Sequence, residues 1–214
     1  MVDGPVVAVR GEAYREVPPE LARFTVTATA RDRDREATLA RLAERAAAVR
    51  VLLDSYEAVV AHRETGDLRV RPERRRSGER VVAYHGSVAT TVTVTDFTDL
   101  GELMLRLADQ DQVEIAGPWW SLRPDSPAYR EARRAAIADA LSRAGEYAEA
   151  LGARVTALLE LADTDGGGQP MFARAAFAGG GAGDVLPELE LDPQPQSVHA
   201  AVAARFTISE PVLR

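Results

Sequence analysis

From Arg80 to Ala108 the chain reads RVVAYHGSVATTVTVTDFTDLGELMLRLA, and this stretch limits the possible folds more tightly than any other. Val82, Tyr84, Val88, Val92 and Val94 share one parity, while Ser87, Thr91, Thr93 and Thr95 share the other. Successive side chains of a strand point to opposite faces, so the ribbon has one apolar face and one polar face of β-favouring threonine. Such a pattern predicts an antiparallel sheet covered on one side only. Gly86 interrupts the run, and a bend or bulge is expected there. After Asp96 the period lengthens. Leu100, Leu103, Met104 and Leu107 recur at helical spacing, with Asp96 or Thr98 as the N-cap.

A second ribbon repeats the design. Ala22, Phe24, Val26, Ala28 and Ala30 alternate with Arg23, Thr25, Thr27 and Thr29. Two strands with matching threonine faces belong in one sheet, where threonines pair across strands. Asp32 and Asp34 then open a helix to about Ser55, with an apolar stripe of Leu39, Leu42, Ala46, Val49 and Leu53. Its stripe is expected to cover the apolar side of the sheet. Before these elements, Val6 to Arg10 is a short strand ended by Gly11. Between them, Val59 to Arg71 reads as a strand pair or extended segment, and Pro72 to Glu79 as a charged turn.

The second half continues in the same style. VEIAGPWWSL (113–122) contains Pro118, which cannot donate to a ladder, so this strand lies at an edge or is bulged. Ser126-Pro127 starts a helix, serine as N-cap and proline at N1, which runs to Leu151 and stops at Gly152. Ile137, Leu141, Ala144, Ala148 and Leu151 form its expected stripe, so an acidic residue at Leu141 is expected to be badly tolerated. Val155 to Leu161 is a further strand, and Val198 to Ile208 alternates as the closing one. Between them, about 163–197, lies a flexible Gly/Pro-rich loop with no periodicity. The fold class is therefore α+β: antiparallel sheets with amphipathic helices on one face, in a two-lobed arrangement.

Composition excludes several function classes. There is no cysteine among the 214 residues, which removes disulfides, thiolate catalysis and cysteine-ligated metal. The net charge is −7, so the global field opposes nucleic-acid binding, although every one of the 26 basic residues is arginine. The opening MVDGPVVAVRGEAY lacks the basic and apolar regions of a signal peptide, and no stretch approaches the length of a membrane span. The expectation is a cytoplasmic protein.

Three blocks carry a family resemblance. VAVRGEAYREVPPELARFTV (7–26) is similar to an opening strand, glycine turn, proline-acid pair and second strand. YHGSVATTVTVTDFTDLGELM (84–104) is similar to a strand-and-helix signature. The segment from Ile115 to Val155 is similar to a third, helical block, and PMFARAA (170–176) adds a short match in the loop. Together these resemble the bacterial SIMPL domain family, of unknown function, over nearly the whole chain. The family's second turn glycine is Ala13 here, and its Pro-Asp is Pro19-Glu20. The resemblance implies one SIMPL-like domain across 1–214, a tendency to ring-like or channel-like homo-oligomers, and a link to stress tolerance. Many relatives are exported. No catalytic residues come with the family.

The residues themselves encode no reactive constellation. His62, His85 and His199 are far apart and read as strand or surface histidines. No GxSxG elbow is present. DTDGGG at Asp163 begins like a calcium loop but has Arg174 where a glutamate ligand is required. Gly179 to Gly183 lacks the lysine of a phosphate loop. Arg74, Arg75, Arg76 and Arg80 read as a solvated hairpin tip, and Asp109 with Asp111 as a turn. Trp119 and Trp120 point to opposite strand faces, one into the core and the other to a rim or a subunit contact. Thr91, Thr93 and Thr95 are either wet or packed on a neighbour. The expectation is a non-enzymatic protein with no cofactor, no metal and no nucleic acid, which self-assembles in a structural or protein-interaction role. The alternative is a small-ligand or anion-binding module using the 163–197 loop.

Overall fold

A computed structural model describes residues 4–74, 80–164 and 189–212. The elements are β1 (Val6–Val17), β2 (Leu21–Asp32), α1 (Arg35–Asp54), β3 (Val60–Arg74), β4 (Val81–Val94), α2 (Leu100–Ala108), β5 (Val113–Ser121), α3 (Pro127–Ala150), β6 (Val155–Asp163) and β7 (Gln196–Ile208). They form an α+β fold with two antiparallel sheets, ordered β3-β4-β2-β5 and β1-β7-β6. The chain divides into two compact units, each with one sheet. The inner unit is the continuous stretch Pro19–Ser121 with residues 189–194. The outer unit gathers residues 4–18, 122–164 and 195–212.

In the inner unit, the two threonine ribbons are neighbours. β2 and β4 pair in one unbroken register from Ala22↔Val94 to Asp32↔Tyr84, with Thr25 directly opposite Thr91. Their apolar faces supply Ala22, Phe24, Val26, Val92 and Val94 to a core completed by Val49 and Leu53 of α1 and by Leu100, Leu103, Met104 and Leu107 of α2. Each large side chain fully buried there stabilises the fold by roughly 1.5–3 kcal/mol. Asp34 caps α1 by accepting from the Ala37 N–H at 2.9 Å.

Several local expectations are corrected. Gly86 causes no bulge against β2; it sits where α1 crosses the sheet, and an added Cβ would lie 3.1 Å from Leu42 and 3.3 Å from Thr38. Close helix approach, not a turn, explains that glycine. The stripe of α1 runs through Thr38, Leu42, Val49 and Leu53, while Leu39 is 40% exposed. Thr38 is accommodated because its hydroxyl donates to the Asp34 carbonyl at 2.8 Å. We therefore expect Leu39→Ala to change stability by no more than about 0.5 kcal/mol, and Leu42→Ala to cost about 2–5 kcal/mol, as measured by urea unfolding. Neither Asp96 nor Thr98 caps α2. Its N-cap is Asp99, and the Asp96 carboxylate instead accepts from the Thr98 N–H and hydroxyl, closing the preceding turn. β3 is a single strand that continues through Pro72 to Arg74, where the charged turn was expected to begin; residues 75–79 lie outside the described ones. β5 is both an edge strand and irregular: its register against β2 shifts between Arg23 and Thr25, beside Gly117-Pro118.

In the outer unit, β1 does not stop at Gly11 but pairs with β7 over its full length, from Val6↔Thr207 to Val17↔Gln196. Gly11 is again a contact point. A Cβ there would lie 2.1 Å from the Ala136 carbonyl oxygen and 2.5 Å from the Ala140 nitrogen, both backbone atoms of α3. The helix lies this close because the face it buries is all alanine: Ala128, Ala132, Ala136, Ala140, Ala144 and Ala148. The expected stripe shares only its alanines with the real one. Ile137 is 42% and Leu141 51% exposed, and Leu151 is exposed too, so the core argument against an acidic residue at Leu141 fails. The helix ends are as the sequence predicts. Ser126 accepts from the Ala128 N–H with Pro127 at N1. Gly152 has φ +69, and the bonds Ala153 N–H to Ala148 and Gly152 N–H to Glu149 complete a Schellman stop.

Candidate interaction surfaces

The three histidines stand on three different strands, β3, β4 and β7. His62 pairs with Glu64 at 2.8 Å on the exposed β3. His85 stands on β4 opposite Arg31 and Arg71. The His199 ring lies against Tyr14 across the β1–β7 pair, centroids 4.4 Å apart. Among the described residues no three metal-ligating side chains come together. Asp109 is the C-cap of α2, and Asp111 forms an ion pair with Arg45 at 2.5 Å. That pair lines a shallow cleft of about 380 Å³ together with Arg41, Glu44 and Gln110; Arg45 also donates to the Thr29 carbonyl at 2.8 Å. Of the 163–197 loop proposed for ligand binding, residues 165–188 lie outside the described residues, and with them the calcium-like turn beyond Thr164, the Gly179–Gly183 run and PMFARAA; Arg75 and Arg76 lie outside them too. The described ends are not free loop, since β6 runs to Asp163, β7 starts at Gln196 and Leu191 packs on the inner core.

Among the described residues, the groups with shifted titration all belong to the inner unit and lie at or near its surface. The bond from Arg31 holds the Glu73 carboxylate below its ordinary range and raises Arg31 in turn. Thr98 lowers Asp96, and the Asp34 N–H lowers Asp32. Partial burial, then the bond to Glu102, raises the Tyr56 phenol. Arg31 and Glu73 tie β2 to β3 across β4, Tyr56 and Glu102 tie the end of α1 to α2, and the two aspartates close turns.

Two surfaces are left open among the described residues. The first is the threonine face of the inner sheet. Across β4, β2 and β5 it carries the row Thr93, Arg23, Trp119 and the row Thr91, Thr25, Ala116. Trp119, Thr91 and Thr93 are thus brought onto one face, and Thr95 is exposed just past the end of β4. Trp120 is separated from them. It packs on the inner core, edge-on to Phe97 with centroids 4.9 Å apart, so it is the core member of the pair.

The second surface is in the outer unit, where one helix covers a sheet too wide for it. A helix is about 10 Å across and spans about two strands. α3 lies over β1 and β7 and barely reaches β6. Its β1 side is fixed by Glu131, which pairs with Arg15 at 2.5 Å, and by Asp139, which accepts from the Glu12 N–H at 2.9 Å. The opposite side, towards β6, presents Arg133, Ile137, Leu141, Gly145 and Glu149. Leu158 and Leu161 of β6 stand opposite Phe206 and Ala204 of β7, hence on the helix side of the sheet. They remain 53% and 45% exposed. Ile137, Leu141, Leu158 and Leu161 therefore border one apolar trough that none of the described residues covers. Sequence reading missed it because it counted Ile137 and Leu141 as core and gave Leu158 and Leu161 no face.

The sheet edges are less inviting than these faces. Asp139 occupies a β1 N–H, β5 carries Pro118, β3 is studded with charge, and β6 has two register shifts. Such features block strand addition. No helix among the described residues is long and apolar enough to cross a membrane.

A family model described as SIMPL, protein of unknown function (DUF541), matches residues 7–206 and so spans both units. Comparison with curated proteins gives no match.

Proposed function

The chain belongs to the SIMPL family, whose function is unknown, and on that premise we propose that it is a non-enzymatic protein that self-assembles and acts through protein contacts. One observation carries this reading: the open trough of Ile137, Leu141, Leu158 and Leu161, four large apolar side chains at or above 42% exposure on neighbouring elements. Contiguous apolar surface of this kind marks a contact site more often than an accident of exposure. The non-enzymatic part is supported by the scattered histidines and by the ion-paired state of Asp111. The threonine face with Trp119 is a second surface of the same kind, suited to a further partner because it is neither strongly charged nor apolar. A role in stress tolerance rests on the sequence resemblance alone. The test is solution mass by light scattering. A multiple of the single-chain mass at micromolar concentration is expected, and a strict monomer there overturns the reading.

A further inference from the structure

Within this reading of self-assembly, we infer that the trough is filled by α3 of a second copy, packed antiparallel against α3 about a two-fold axis beside Ile137 and Leu141. The inference rests on charge. Because α3 buries every fourth residue, its outward positions also fall into rows of step four. The row facing β6 reads Arg133, Ile137, Leu141, Gly145, Glu149, and the outermost row reads Arg130, Arg134, Ala138, Ser142, Glu146. Both run from arginine through apolar or small residues to glutamate.

This order is unfavourable in the isolated chain. A helix N-terminus favours anions and its C-terminus cations, yet α3 has no acidic residue in its first turn and no basic one in its last. Like charges three or four residues apart also repel, as Arg130 does Arg133 and Arg134, and Glu146 does Glu149. Among the described residues Arg130, Arg133, Arg134 and Glu149 have no ion-pair partner, in contrast to Glu131 and Asp139 on the β1 side.

An antiparallel second copy offsets all of this. With the axis midway between Ile137 and Leu141, Arg133 and Glu146 lie about 9–11 Å from it in opposite directions, and Arg130 and Glu149 about 13–15 Å, at 1.5 Å rise per residue. The arginine third of each helix then lies along the glutamate third of the other, and the helix dipoles oppose. Gly145, with open space where a side chain would be, leaves room for the approach. The partner's helix also covers Leu158 and Leu161. The interface is self-complementary, as a two-fold contact must be.

Charge reversal tests this. R130E/R133E and E146R/E149R are each expected to weaken association by about tenfold or more, giving single-chain mass where the native protein is assembled. An equimolar mixture of the two variants, or all four changes in one chain, is expected to restore the assembled mass. Misfolding is not a competing explanation, because each variant moves charge in the direction the helix dipole favours; circular dichroism melts should show monomers at least as stable as native. If the reversals leave an assembled mass unchanged, or the mixture fails to restore it, the α3 contact is wrong while assembly stands. If the native protein is itself monomeric, both fall.

Discussion

Gly11→Val is expected to destabilise the outer unit by about 3 kcal/mol or more, among the larger effects available to a single substitution. The added carbons would enter space held by the Ala136 carbonyl oxygen, 2.1 Å from the first of them, and by the Ala140 nitrogen, 2.5 Å away. Both are helix backbone, so no rotamer change relieves the clash. Either α3 lifts off β1, exposing its alanine face, or β1 leaves β7. Loss of the Asp139 contact to the Glu12 N–H accompanies either route, because that bond depends on the same close approach. The measurement is urea unfolding followed by far-ultraviolet circular dichroism, with hydrogen exchange at β1 and α3. Exchange as slow as in the native protein would refute the packing described here.

Phe24→Ala is expected to cost about 3–5 kcal/mol. Phe24 is completely buried, opposite Val92 on the next strand, in the core that α1 and α2 close. Removing the ring leaves a cavity that two strands and two helices cannot collapse into without breaking register. Both tryptophans of the chain are on β5 in this unit, and Trp120 touches the same core. Tryptophan fluorescence therefore reports the inner unit directly, and the urea midpoint by that signal should fall sharply. An unchanged midpoint would mean that Phe24 is not where the core is.

These two sites also show what the sequence made legible. The alternation around Phe24 was readable because a strand's period of two sorts residues by face regardless of partner, and the matching threonine faces placed β2 and β4 in one sheet, where they pair. Around α3 the same logic failed. A search for large apolar residues selected Ile137 and Leu141, but the helix packs through its smallest side chains, against a glycine, and leaves the larger ones outside. The signal was present as alanine at every fourth position from Ala128 to Ala148. Gly11 and Gly86 were misjudged for the related reason that a glycine needed for close approach looks, in sequence, like one needed for a turn. The candidate surface was illegible until α3 was oriented. The arginine-to-glutamate gradient is plain in the sequence, but its meaning depends on which face is buried.

The outer unit is assembled from the beginning, the middle and the end of the chain, and its centre is the last strand to be made. β7 lies between β1 and β6, and Val6 finds its partner in Thr207. Contacts between such distant residues form slowly, whereas the inner sheet and its helices come from one uninterrupted stretch. During synthesis the inner unit can therefore close early. A nascent chain that ends at Pro195 still carries β1 and β6 with nothing between them.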